Sequence, residues 1–328
     1  MILQTNVKLN LGLEVLRKRP DGFHDIETLF VPCHEFGDTL EVITGDDYSR
    51  TSASLFARYS TSLAPEEQPA LGRTQPQRTL SGVEGRENGR GRGRTAPPVW
   101  EGELVQGISE DGKLMITIAR EEGVDWEPLK DLCAKAYFLL ANDFQLPPVK
   151  IFLEKKAPVG AGLGGGSADA AFTLKAINEL CSLGLSNESL AEYASRLGSD
   201  CAIFVWNRPM IGTGRGEILE PFDVDLSGYE VKVLVPEGIS VSTAEAYRGI
   251  VPRVAAVAGA VVPPSNLTSV LRRPVEEWKG LVVNDFEATV FKAHPELAAI
   301  KQSLYDSGAV YAAMSGSGSA MFGIYKKQ

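Results

Sequence analysis

A chain of 328 residues is long enough for one large domain or two ordinary ones, each with its own core. Its 44% hydrophobic and 23% charged residues are the proportions of a soluble globular protein, and no stretch approaches the roughly 18 to 20 unbroken apolar residues of a membrane span. The net charge of −9 argues against general nucleic-acid affinity.

Four scattered cysteines, Cys33, Cys133, Cys181 and Cys201, include no CxxC pair, so neither a disulfide frame nor a thiolate metal site is expected. The N-terminus shows no charged-then-apolar leader. Reduced thiols in a cytoplasmic protein are the expectation.

The chain opens on a strict alternation. Val7, Leu9, Leu11, Leu13 and Val15 are apolar, while Asn6, Lys8, Asn10 and Glu14 are polar. Period two predicts a half-buried strand, whose polar face carries Lys8 and Asn10 about 7 Å apart. "RPDGFH", from Arg19 to His24, is a turn with Pro and Asp-Gly punctuation. "DTLEVIT" reads as a second strand.

Between Tyr48 and Val99 the character changes. This segment holds eight Arg, four Glu and no Lys or Asp, a net +4 that leaves −13 for the remainder. Ser, Thr, Gly, Pro and Gln dominate, and apolar periodicity is absent, so it reads as a disordered insertion, residues 48–99. Its "GRGRGR" tract, Gly89 to Arg94, resembles RNA-binding Arg-Gly segments, but a solvated spacer is the better reading.

Further along, "KLMITIA" predicts a strand, "DLCAKAYFLLANDF" a helix, and "VKIFLEK" another strand. Ala168 to Leu180 and "SNESLAEYASRLG" carry helical spacing, the latter stopped by Gly198. "CAIFVW" reads as a strand. After about Gly216, "YEVKVLVP", the amphipathic "NDFEATVFKAHPELAAIKQSLYDSG" and "VYAAMSGSGSAMFGIY" suggest a separate α+β half.

The stretch "GAGLGGGS", Gly160 to Ser167, lies at a strand-to-helix corner. It spells G-x-G-x-x-G, yet Ala157, Pro158 and Val159 separate it from the strand, and no acidic second strand follows as a dinucleotide site requires. The Walker spelling fails too, since no Lys precedes Ser167. What survives is physical. Glycines let backbone N–H groups approach an anion, and a helix N-terminus adds partial positive charge. Ser167 could cap the helix or touch a phosphate or its Mg²⁺. Asp169, in the first turn, either points away from a phosphate or helps hold a cation.

"PVGAGLGGGSADAA" resembles the central motif of the GHMP small-molecule kinases, "NVKLNLGLEV" their N-terminal motif and "AAMSGSGSAMFGIY" their C-terminal glycine motif. Three ordered motifs cover essentially the whole chain. With "RPDGFHDIETLF", "GDTLEV" and "LGSDCAIFV", the chain is similar to the branch acting on a cytidine-diphosphate-linked methylerythritol in the non-mevalonate isoprenoid pathway.

The resemblance implies an α+β fold in an α/β two-domain arrangement. An N-terminal ATP-binding domain spans residues 1–215, and a C-terminal ferredoxin-like domain spans 216–328. The active site lies in the cleft between them. It implies ATP with Mg²⁺, phosphorylation of the substrate's 2-hydroxyl, a small-molecule partner rather than nucleic acid or membrane, and a monomer or homodimer. The insertion is foreign to the pattern but interrupts none of the motifs.

Residue by residue, the resemblance implies that Asp200 and Lys8 are catalytic and that Asn10 is substrate-binding. Phe23 and His24 match an aromatic-His pair that holds cytosine, and Tyr247 falls near a second stacking aromatic. Pro158, Gly160, Gly162, Leu163, Gly164, Gly165, Gly166 and Ser167 match the ATP phosphate loop. Ser315, Gly316 and Gly318 match the glycine turn that closes over it. Asp200 would accept or orient the hydroxyl proton, and Lys8 would offset charge on the moving phosphoryl group. Another kinase of the same superfamily, with a mevalonate- or homoserine-type substrate, is the nearest alternative.

Overall fold

In a computed structural model, the structure describes residues 1–45, 103–120, 125–253 and 265–327. The Arg- and Gly-rich segment 48–99 lies outside the described residues. Strands β1 (Ile2–Gln4), β2 (Val7–Lys18), β3 (His24–Cys33) and β4 (Thr39–Thr44) precede it, and β5 (Glu103–Ile108) and β6 (Leu114–Arg120) follow it. Next come α1 (Leu132–Ala141), β7 (Val149–Glu154), α2 (Gly165–Leu180), α3 (Asn187–Leu197) and α4 (Cys201–Trp206). Strands β8 (Met210–Thr213), β9 (Ile218–Pro221) and β10 (Tyr229–Leu234) lead to α5 (Thr243–Tyr247) and α6 (Leu267–Leu271). The chain ends with α7 (Glu287–Ala293), α8 (Pro295–Asp306), β11 (Tyr311–Met314) and β12 (Met321–Lys326).

Among the described residues three sheets form, in the orders β1-β4-β7-β6-β5, β2-β3-β8-β9 and β10-β12-β11. Among the strands of the described residues only β6 and β7 pair in parallel, and the connection between them runs through α1, as a parallel neighbour requires. The first sheet packs Leu40, Ile116, Ile118, Ile151 and Leu153 against Ala134, Leu140, Leu174, Ile177 and Phe204 of the helices. The third sheet is covered on one face by α8 through Leu297 and Leu304, while Tyr311 and Phe322 on the other join Val7, Leu9 and Leu11 of β2.

That packing corrects the first expectation. Strand β2 is buried on both faces from Val7 to Val15, polar positions included. The apolar side meets the C-terminal unit, while on the polar side Lys8 meets the glycine loop, Asn10 meets Thr28 of β3 and Glu14 meets Arg253, so all three are interior residues with polar partners. Period two revealed the strand but not what covers its second face.

"CAIFVW" is a helix, α4, rather than the expected strand. Its six residues are too few for periodicity to decide, and the turn in which Cys201 N–H bonds the Gly198 carbonyl sets helical geometry directly behind α3. The amphipathic C-terminal stretch divides at His294, because Pro295 disfavours helical geometry in the residue before it. The 215/216 division falls in the turn of the β8–β9 hairpin, and the chain leaves that sheet after Pro221. Among the described residues no helix is long and apolar enough to cross a membrane.

Candidate active site

The glycine corner folds as a loop between β7 and α2. Gly160, Gly162 and Gly164 all take positive φ, with Gly164 at the N-cap. The helix therefore begins at Gly165, and Ser167 is its third residue instead of its cap. At Gly162 a Cβ would overlap the carbonyl oxygen of Ser315 and meet the Gly318 backbone at 2.9 Å. At Gly164 it would meet the Lys8 side chain at 3.2 Å. These glycines let two loops and a strand close on one another.

A cavity of about 940 Å³ opens above this junction. It gathers Lys8, Asn10, Phe23, His24, Pro158, Gly160, Asp200, Tyr247 and Gly316 with the run Gly162–Ser167. Ser315 and Gly318 sit behind its wall: the Ser315 hydroxyl accepts the Asn10 N–H and contacts the Gly162 carbonyl, and the Gly318 N–H closes the turn onto the Ser315 carbonyl.

Lys8 is only 2% exposed, yet its ammonium reaches three oxygens: the Asn10 side-chain oxygen at 2.5 Å, the Gly162 carbonyl at 2.8 Å and the Asp200 carboxylate at 3.2 Å. Asn10 donates its amide to Thr28, which orients the oxygen that receives Lys8. Asp200 precedes α4, makes no side-chain cap, and is 35% exposed, so its carboxylate faces the cleft.

At the other end Phe23 projects from the turn with 52% of its surface exposed. The Arg215 guanidinium lies 5.0 Å from its ring centre. His24 stacks on Tyr247 at 4.7 Å and 20°, and Tyr247 meets Phe286 edge-on. Burial, with the Lys18 charge, lowers the His24 pKa. Burial, then the Asp200 charge, pushes the Tyr247 hydroxyl up to about 12.

Asp169 is withdrawn from the cavity. One carboxylate oxygen accepts the Thr5 hydroxyl at 3.0 Å and the other the Lys155 ammonium at 2.7 Å, and the side chain is buried. Among the described residues no group of three or more His, Cys, Asp or Glu could hold a metal ion. The donor set thus fits a Mg²⁺ carried mainly by phosphate oxygens and water, with the cavity-lining Ser167 hydroxyl as a protein contribution.

Other lining residues carry no motif. Trp126, Lys130, Leu132, Lys155, Arg215 and the run Ser240–Ala244 are among them. Trp126 is held by Arg120, which donates to its carbonyl at 2.9 Å, and by Asp131, which accepts its indole N–H at 2.9 Å. An isolated aromatic in a polar connection gives no periodic signal. Lys155 could have been suspected from its place beside the glycine loop.

The GHMP kinases N terminal domain model matches residues 131–208, and the GHMP kinases C terminal model matches residues 269–328. A 4-diphosphocytidyl-2-C-methyl-D-erythritol kinase of Bacteroides fragilis is 39% identical over 100% of this chain and 93% of its own length. One from Parabacteroides distasonis is 36% identical over 100% and 92%. The crystal structure of a 4-(cytidine 5'-diphospho)-2C-methyl-D-erythritol kinase superposes with a TM-score of 0.62 at 25% identity, covering 98% of this chain and 89% of that one. A mevalonate kinase structure, at 11% identity and a TM-score of 0.56 over 99% of this chain and 91% of its own, shares the fold. The chain belongs to the GHMP kinases and, within them, to the 4-diphosphocytidyl-2-C-methyl-D-erythritol kinase family.

Proposed function

We propose that the chain transfers the γ-phosphoryl group of ATP to the 2-hydroxyl of 4-(cytidine 5'-diphospho)-2-C-methyl-D-erythritol, a step of non-mevalonate isoprenoid synthesis. The observation that carries this reading is Lys8, which joins the glycine loop at Gly162 to the cleft-facing Asp200. A phosphate on the loop amides and an alcohol beside Asp200 then meet at one buried cation.

Phosphoryl transfer asks for alignment and charge neutralisation. The amides of the glycine loop and the first turn of α2 receive the phosphates. The substrate oxygen attacks phosphorus while the bond to the β-phosphate oxygen breaks, and ADP leaves with that electron pair. Asp200 takes the hydroxyl proton, and Lys8 offsets charge on the transferring group. Mg²⁺, when bound, shields the phosphate charges, with Ser167 the hydroxyl this chain offers.

Phe23 gives the cytosine an open aromatic face, and the neutral His24 ring offers it a hydrogen bond. Tyr247, now stacked on His24, must shift for a base to enter between them. A mevalonate- or homoserine-type alcohol would leave Phe23, His24 and Tyr247 without a partner. The four cysteines are free, consistent with the reducing cytoplasm proposed as its compartment.

The test is incubation with ATP, Mg²⁺ and the cytidine-linked substrate, followed by phosphorus NMR of the product. A new phosphomonoester on the 2-oxygen is expected, and phosphate on any other hydroxyl would refute the assignment.

A further inference from the structure

A cluster of charges outside the reacting groups lies directly beneath the glycine loop. Asp38 and Asp169 are buried carboxylates, and the nearly buried Lys155 ammonium binds both. Asp38 does more than pair with Lys155. Its other oxygen accepts the backbone N–H groups of Lys156, at 2.5 Å, and Ala157, at 2.7 Å, the residues that lead from β7 into the loop. The Thr5 hydroxyl accepts the Asp38 N–H at 2.9 Å and donates to Asp169 at 3.0 Å, closing the ring.

Four segments meet in this ring: the residue pair before β2, the residue before β4, the entry to the loop and the second turn of α2. The first leads into β2 and Lys8, and the last two flank the loop. The ring lies just under the loop, since a Cβ built on Gly165 would stand 3.7 Å from an Asp38 oxygen and 3.9 Å from the Lys155 nitrogen.

Two carboxylates sharing one ammonium in the interior are a costly arrangement compared with packed apolar residues. Such an arrangement makes sense where direction matters more than stability. Here the carboxylate of Asp38 aims two backbone amides away from the cavity and fixes where the loop begins, while Lys155 holds that carboxylate against α2. We propose that Asp38, supported by Lys155 and Asp169, is a positioning residue that sets the phosphate loop in register with Lys8. The proposal rests on the reading that ATP phosphates bind this loop.

The test compares wild-type enzyme with Asp38→Asn, Thr5→Val and Lys155→Met. Two readouts are taken: calorimetric affinity for a non-hydrolysable ATP analogue, and KM for ATP and for the cytidine-linked alcohol from ADP release. Asp38→Asn weakens charge-assisted bonds to two amides, so analogue affinity should fall about tenfold while KM for the alcohol stays within about twofold. Thr5→Val keeps every charge and should give a smaller loss in the same direction, and it carries the test alone if Asp38→Asn does not fold.

A folded Asp38→Asn or Thr5→Val with wild-type analogue affinity overturns the proposal. Equal loss for both substrates overturns it as well, because that is general loosening. Unchanged affinity in Asp38→Asn with loss in Lys155→Met would instead make Lys155 a direct phosphate ligand. Wild-type enzyme that binds the analogue but ignores the cytidine-linked alcohol would sink only the substrate assignment, since calorimetry still reads the loop.

Discussion

The Lys8 ammonium and the Asp200 carboxylate stand 3.2 Å apart although they come from the first long strand and from the head of α4. Burial differs sharply between them, 2% against 35% exposed. The cation is fixed and dry; the anion looks into the cleft. A reacting hydroxyl can therefore reach Asp200 without displacing Lys8.

Replacing Asp200 by Asn removes the proposed proton acceptor while keeping the shape. Turnover should fall by about 10³-fold, in the range of a lost general base, with KM for ATP within about twofold. ADP release and analogue calorimetry check both halves.

Lys8→Met leaves the Asn10 oxygen, the Gly162 carbonyl and Asp200 short of a donor. Turnover should drop by about 10²-fold or more, and stability by about 1–3 kcal/mol. Lys8→Arg should not rescue either, because Gly164 already sits close against the Lys8 stem, where an added Cβ would stand at 3.2 Å. Turnover and a denaturant midpoint decide it.

Two glycines of the same motif should behave differently. Gly162→Ala puts a Cβ on a residue with φ near +77° and into the Ser315 carbonyl, a cost of about 2 kcal/mol or more. Gly166→Ala meets nothing closer than Leu132 at 3.8 Å and lies in a helix, so its Tm should hold or rise. A pair of melting curves separates them.

Burial depresses the His24 pKa below its ordinary value near 6.5, so the ring stays neutral through neutral pH. Protonation sets in only on the acid side of that value. kcat/KM for the cytidine-linked alcohol should be level from about pH 8 to about pH 6.5 and fall below it. His24→Gln, which cannot titrate, should lose that acid limb. A pH profile of both enzymes checks it.

Much of this arrangement was legible in the sequence because the glycine loop, the Lys8 strand and the Asp200 turn are local patterns with physical meaning. Their meeting was not, since it depends on how β2 is covered. Alternation marks Lys8 and Asn10 as one face of a strand, but only the glycine loop at Gly162 and the turn at Gly316 show that this face is interior. Asp38 lies in the "GDTLEV" stretch, but its bonds to amides more than a hundred residues away leave no mark there. The apolar run Cys201–Trp206 reads as a strand yet folds as a helix, because buried helices and buried strands look alike over six residues.

The most direct measurement is ADP release by the wild-type chain with ATP and, in turn, the cytidine-linked methylerythritol, mevalonate and homoserine. Turnover confined to the cytidine-linked alcohol, and lost in Asp200→Asn, is the predicted result. Comparable kcat/KM for mevalonate or homoserine, or full turnover in Asp200→Asn, would contradict it.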